Sequence, residues 1–166
     1  MKRTLMIMRH AKSSWDNSAL SDHERPLNAR GRRAAPHVGL CLQGLGYQPE
    51  RVFVSDSMRT SETWFGLSPY MGLPKVSFHQ RLYGGELDDI CQLVSQADDS
   101  AASVMVIGHN PGFSIASSVL SGTMVELKTA YVAVLTAEID GWAEIGPAGA
   151  WTLEDLITPK TDLTLL

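Results

Sequence analysis

Three short stretches of this chain carry cations or potential cations in a pattern suited to phosphate chemistry. They are Arg9 with His10, Arg59 within Ser55-Asp56-Ser57-Met58-Arg59-Thr60, and His109 within Gly108-His109-Asn110. A guanidinium stays charged at any physiological pH and offers a planar fork of donors matched to phosphate oxygens. Imidazole attacks phosphorus well when neutral, and an unperturbed pKa of about 6.5 leaves much of it neutral at pH 7. If the three stretches converge they form an anion pocket, in which one histidine could be the nucleophile and the other could bind equatorial oxygens.

Convergence depends on the elements that carry them. Thr4 to Met8 is a continuous apolar run ending in polar residues, the pattern of a central parallel strand covered on both faces. Ala34, Val38, Cys41, Leu42 and Leu45 recur at helical spacing up to Gly46, with Pro36 expected early in that helix or as a kink. Arg51 to Val54 reads as a second strand, and Ser55 or Ser57 can cap a helix running toward Gly66 to Pro69. Val76 to Phe78 is a short extended piece, followed by a helix with Leu87, Ile90, Cys91 and Val94 on one face, ending near Ala97. Ser103 to Ile107 is the clearest strand, and Gly108 to Pro111 joins it to another helix. Tyr131 to Ala137 and Ala150 to Leu156 read as later strands, whose order in the sheet the pattern does not reveal. Strands alternating with helices predict a three-layer α/β/α sandwich with a mainly parallel sheet, and ligands bind such folds beyond the carboxyl ends of the strands. Arg9 and His10, Ser55 to Arg59, and His109 all fall there.

The composition narrows the classes. A chain of 166 residues, 44% hydrophobic and 19% charged, fits one globular domain spanning 1–166. A net charge of −4 without a polybasic arm argues against nucleic acid as a partner. The apolar run at Leu5 to Met8 is too short for a signal peptide or a membrane span, so no membrane association and a cytoplasmic location are expected. Cys41 and Cys91 form no Cys-x-x-Cys and fall at apolar helix positions, as buried free thiols would. No two of the histidines at 10, 23, 37, 79 and 109 lie three or four apart, and arginines near His10 and His109 would repel a cation, so no metal site is expected. His23, His37 and His79 read as surface or helix-face residues. Arg30, Arg32 and Arg33 read either as a solvated helix start or as a rim attracting acidic proteins, and Trp15 and Tyr83 either as mouth residues or as packing.

Taken together these stretches resemble the histidine phosphatase superfamily, which includes the cofactor-dependent phosphoglycerate mutases. Arg9-His10-Ala11 is similar to its Arg-His-Gly signature, Ser55 to Thr60 with Thr63 to its second motif, and Gly108-His109-Asn110 to its last. Lys12-Ser13-Ser14-Trp15-Asp16 followed by Arg25-Pro26-Leu27-Asn28 and Arg30-Gly31 resembles the small phosphohistidine phosphatases of the SixA type. The resemblance implies a phosphoglycerate mutase-like fold and His10 as the phosphorylated nucleophile. It implies Arg9 and Arg59 as ligands of the phosphoryl oxygens, and His109 as the residue that completes the pocket. It implies no cofactor and no metal. Ala11 departs from the signature glycine. The family's general acid has no unmistakable counterpart; Glu86, after Leu82-Tyr83-Gly84-Gly85, is the candidate, with a plain helix-dipole role as the alternative. Asp16 stands where mutases commonly carry a phosphate-touching asparagine, and a carboxylate there would repel the dianion, so Asp16 is left outside the phosphate shell.

Extended residues resume only about seven positions after the helix that ends near Pro69, leaving no room for a large lid. The pocket is therefore expected to be open enough for a side chain displayed on another protein, with phosphohistidine as the substrate. A small-molecule phosphoester, or an idle phosphoprotein-binding module, are the other readings.

Overall fold

The computed structural model describes residues 1–165. Six strands form one sheet: β1 (Lys2–Arg9), β2 (Arg51–Ser55), β3 (Lys75–His79), β4 (Ser103–Gly108), β5 (Val132–Glu138) and β6 (Thr152–Ile157). Their order across the sheet is β3-β2-β4-β1-β5-β6. The β3–β2, β2–β4 and β4–β1 ladders are parallel, and β5 is antiparallel to both β1 and β6. The sheet is thus mainly parallel, with β5 alone reversed.

Four helices cover it: α1 (Ala29–Gly44), α2 (Met58–Leu67), α3 (Leu87–Val94) and α4 (Gly112–Ser121). The period of two along each strand decides the layers. Leu5 and Ile7 of β1, with Val104 and Val106 of β4, pack against Ile90 and Val94 of α3 and Phe113, Ala116 and Leu120 of α4. Met6 and Met8, with Met105 and Ile107, pack on the other face against Val38 and Leu42 of α1 and Trp64 and Leu67 of α2. All four residues from Leu5 to Met8 are fully buried. At roughly 1.5–3 kcal/mol for each buried side chain, this strand anchors the centre of the molecule.

Several element ends differ from the sequence reading. Pro36 lies well inside α1, past its first turn. The first turn instead begins at Asn28, whose side chain accepts from Gly31 N at 2.9 Å. Helix α2 is capped by Ser57, one of the two serines expected for that cap, whereas α3 stops at Val94, short of Ala97. Cys41 is buried and Cys91 half-buried, both as free thiols. Between α2 and β3 lies only a short 3-10 turn at Ser68–Tyr70, so no lid segment is inserted there. Among the described residues no helix is long and apolar enough to cross a membrane.

Candidate active site

The three chemical stretches meet because β2, β4 and β1 are neighbours in one parallel run. Arg9 pairs with Gly108 and Val54 with Ile107, so the carboxyl ends of the three strands are level. His10, Ser55 and His109 leave the sheet side by side. The His10 and His109 rings lie 5.2 Å apart, and Arg59 Nε stands 3.4 Å from His10 Nε2. Both separations are within the reach of one phosphate.

The orientation of His10 follows from its backbone. Its Nδ1 is 2.7 Å from the Ala11 carbonyl, which can only accept, so Nδ1 carries the proton and Nε2 holds the lone pair, which accepts from Arg59 Nε at 3.4 Å. Ala11 is fixed in turn: its N–H donates to Thr63 Oγ1 at 3.0 Å, and Thr63 Oγ1 donates to Arg59 O at 2.7 Å. One hydroxyl therefore ties the turn after His10 to the helix that carries Arg59. The alanine in place of glycine is accommodated, since Ala11 is fully buried against the α1 and α2 side of the core.

Arg59 is held from behind by Asp22, in a 3-10 turn (Asp22–Glu24) that the sequence reading did not single out. Arg59 Nη1 donates to the Asp22 carbonyl at 2.6 Å and Nη2 to its carboxylate at 3.0 Å. The same carboxylate accepts from Arg25 Nη1 at 2.8 Å and from the Tyr83 hydroxyl. These donors, the Tyr83 hydroxyl foremost, hold the Asp22 carboxyl well below the usual carboxylate range. Arg25 is further fixed by Ser14 O at 3.0 Å and Ser13 Oγ at 2.6 Å, with its guanidinium 3.2 Å over the Trp15 ring. The run Arg25-Pro26-Leu27-Asn28 thus clamps the loop after β1. Gly31 is required for that clamp, because a Cβ there would fall 2.1 Å from Lys12 O. Arg9 donates from Nη1 to Leu127 O at 3.2 Å, while its buried Nε has no partner among the described residues.

His109 Nε2 lies 2.9 Å from Ser55 Oγ, and its buried Nδ1 has no partner among the described residues. Tyr83 packs edge-on against the His109 ring at 5.3 Å. Burial is the main force on both imidazoles, and neighbouring charge adds to it. His10 is pushed down to about 4, with Arg59, Arg9 and Arg25 opposing its protonation. His109 is pushed down to about 3, with His10 and Arg59 acting the same way. Both rings are neutral at pH 7, and a neutral imidazole can attack an electrophile without a base to activate it.

The resulting cleft of about 230 Å³ is walled by Arg9, His10, Lys12, Ser13, Trp15, Arg25, Arg59, His109, Asn110 and Thr129. It holds four cations, two imidazoles and no carboxylate. Glu86 does not line it. That residue is exposed at the N-cap of α3, where its backbone N–H donates to Asp89 Oδ2 at 2.9 Å. Asp16 is exposed and likewise outside the cleft. Trp15 lines the mouth, whereas Tyr83 acts through Asp22 and His109. Arg30, Arg32 and Arg33 are exposed. His23 pairs with Asp56 at 2.8 Å, His37 with Thr161 O at 2.8 Å and His79 with Ser77 Oγ at 2.6 Å, and none of the three lines the cleft. Among the described residues no group of three or more His, Cys, Asp or Glu is placed to hold a metal ion. The sequence reading missed Asp22 and the bonds made by Ser55 and Thr63. Asp22 stands three residues before Arg25, and that spacing was the only available signal.

This fold and this cleft are those of the histidine phosphatase superfamily. The family model described as histidine phosphatase superfamily (branch 1) matches residues 5–87, half of the sequence, and the chain belongs to that family. An uncharacterized chloroplastic protein of Arabidopsis thaliana is 33% identical over 98% of this chain and 81% of its own length. A Nakamurella multipartitia structure, provisionally named phosphohistidine phosphatase SixA, is 28% identical, covers 97% of this chain and 98% of its own, and superposes with a TM-score of 0.86. The protein histidine phosphatase SixA complexed with tungstate is 25% identical, covers 94% and 97%, and gives a TM-score of 0.79. The phosphoglycerate mutase-like fold expected from the motifs is the one observed.

Proposed function

We propose that this chain removes phosphate from phosphohistidine on proteins, through a phosphoenzyme formed on His10. The observation that carries the proposal is the cleft itself, where His10 Nε2 is the unprotonated ring nitrogen, met only by a long 3.4 Å contact from Arg59 Nε, and no carboxylate stands in the wall. His10 Nε2 attacks phosphorus in line, and its lone pair forms the new N–P bond as the substrate P–N bond breaks. The departing imidazole keeps the bond pair and leaves neutral, because its ring was protonated beforehand. Water then adds to phosphorus, the N–P pair returns to His10, a proton passes to solvent, and inorganic phosphate is released. Arg9, Arg59 and His109 bind the phosphoryl oxygens, with Lys12 and Arg25 adding positive charge. The guanidiniums of Arg9, Arg25 and Arg59, with Lys12, supply the charge neutralisation, so no metal is required.

A wall without a carboxylate favours P–N over P–O cleavage. An alkyl ester must expel an alkoxide and gains greatly from a placed acid, whereas a protonated phosphoramidate does not. Glu86, exposed at a helix cap, is assigned the helix-dipole role and not that of the acid. The absence of an inserted lid suits a side chain presented on a protein surface. The phosphohistidine named for the SixA neighbours, and the tungstate held by one of them, support the same reading by likeness. The free thiols suit a reducing compartment such as the cytoplasm, and one relative carries a chloroplastic name. The test is trapping. Brief exposure to a phosphohistidine peptide should leave one acid-labile, base-stable phosphate on the wild type and none on His10→Ala. Turnover by His10→Ala at the wild-type rate would overturn the assignment.

A further inference from the structure

A second hollow of about 330 Å³ opens beside the cationic cleft, between the N-terminal ends of α3 and α4, and the two share His109 and Asn110 as a common wall. Its surface is glycine backbone at Gly84 and Gly85 with the side chains of Leu87, Pro111 and Ile115. The floor is set by direct backbone packing, since a Cβ on Gly112 would fall 2.1 Å from Gly85 O. The hollow is therefore preformed. Ile115, at 54% exposure, is an isoleucine left in water at its edge.

The charge of this hollow is opposite to that of the cleft. Glu86 and Asp88 stand exposed on its rim, and neither has an ion-pair partner among the described residues, while the adjacent Asp89 is paired with Arg81 at 2.7 Å. The cleft is walled by Arg9, Lys12, Arg25 and Arg59. A ligand spanning both must carry its anion at one end and apolar surface with positive charge at the other. Resting on the functional reading above, we infer that the hollow is the subsite for the substrate protein beyond the phosphorus, taking an apolar side chain with a lysine or arginine beside it, next to the phosphohistidine. An acidic flank meets two unpaired carboxylates and is rejected. The same carboxylates favour the protonated, cationic ring that P–N cleavage requires.

The experiment compares three substrates: phosphoramidate, which has nothing beyond the P–N bond, and two equal-length phosphohistidine peptides, one flanked by Leu-Lys and one by Ser-Glu. Wild type should favour the Leu-Lys peptide about tenfold in kcat/KM, mainly through KM, the scale of one modest pocket contact. Ile115→Asp should lower the ratio of Leu-Lys peptide to phosphoramidate turnover about tenfold, and Asp88→Lys should shift preference toward the Ser-Glu peptide. Both positions are exposed, so neither change threatens the core. If wild type turns over phosphoramidate but treats both peptides alike, or if each variant lowers all three substrates by one factor, the subsite is overturned and the functional reading stands. If wild type is inert toward all three, the functional reading fails, and this inference with it.

Discussion

Keeping two neutral imidazoles buried among arginines should make the fold sensitive to mild acid. The unfolded chain binds a proton on each ring near the ordinary pKa of about 6.5. The folded chain resists until about 4 at His10 and about 3 at His109. Folded values below unfolded ones mean that the stability is fully present above about pH 6.5 and is lost as pH falls toward those folded values. At pH 5 an unfolded imidazole is about 97% protonated and folded His10 about 10%, so linkage removes about 2 kcal/mol between pH 7 and pH 5. His109 contributes a similar amount, for about 4 kcal/mol together, a large share of a typical domain's 5–15 kcal/mol. Carboxylates contribute little in this window because their unfolded pKa values lie near 4. The informative variants keep each ring's hydrogen bond while removing its titration: His10→Asn retains a donor for Ala11 O, and His109→Gln retains the link to Ser55 Oγ. Urea unfolding at pH 7 and pH 5 measures the effect. Each variant should lose about 2 kcal/mol less than wild type on acidification, whatever its stability at pH 7, and His79, also lowered by burial, cancels in the comparison. Tungstate should reduce the wild-type loss, since a bound dianion favours the protonated rings. Parallel pH dependence in wild type and both variants would refute the argument that these rings are held neutral by burial.

Three further outcomes can be measured directly. Asp22→Asn leaves the backbone carbonyl bond to Arg59 but removes the charge that Arg59 and Arg25 share. Discounting a charge-assisted bond because Asp22 is 51% exposed, kcat should fall about tenfold, with partial rescue by Asp22→Glu, and an unchanged kcat would mean Arg59 needs no such support. Glu86→Gln should lower kcat on phosphoramidate and on p-nitrophenyl phosphate by less than about threefold, and a loss of 10²–10⁴-fold on the ester alone would reinstate Glu86 as the acid. Turnover should persist in EDTA, because the guanidiniums and Lys12 neutralise the phosphoryl charge; loss on chelation, restored by a divalent ion, would overturn this.

Much of the site was legible before folding because its chemistry is attached to local signals. Arg9 and His10 follow an apolar run that only a buried strand explains, Arg59 follows a serine cap, and His109 sits between a strand and a helix-opening proline. Which residues point to which face was also readable, since a strand's period of two assigns Leu5 and Ile7 to one layer and Met6 and Met8 to the other. The motif order therefore pointed to a phosphate pocket at the carboxyl edge of a parallel sheet.

What only the tertiary structure decided was who stands next to whom. Apolar periodicity states that a strand is covered but is silent on its neighbours, so the insertion of β4 between β1 and β2 and the reversal of β5 could not be read from the pattern. Polar partners are less visible still. The bonds from Asp22 to Arg59, from Ser55 to His109 and from Thr63 to Ala11 span 37, 54 and 52 residues between loops and helix turns that have no period of their own. Glu86 shows the converse. Its place just before a helix suits both an acid and a cap, and what bears on the choice is where α3 lies relative to the cleft, which depends on packing across the whole sheet and on no property of residue 86 itself.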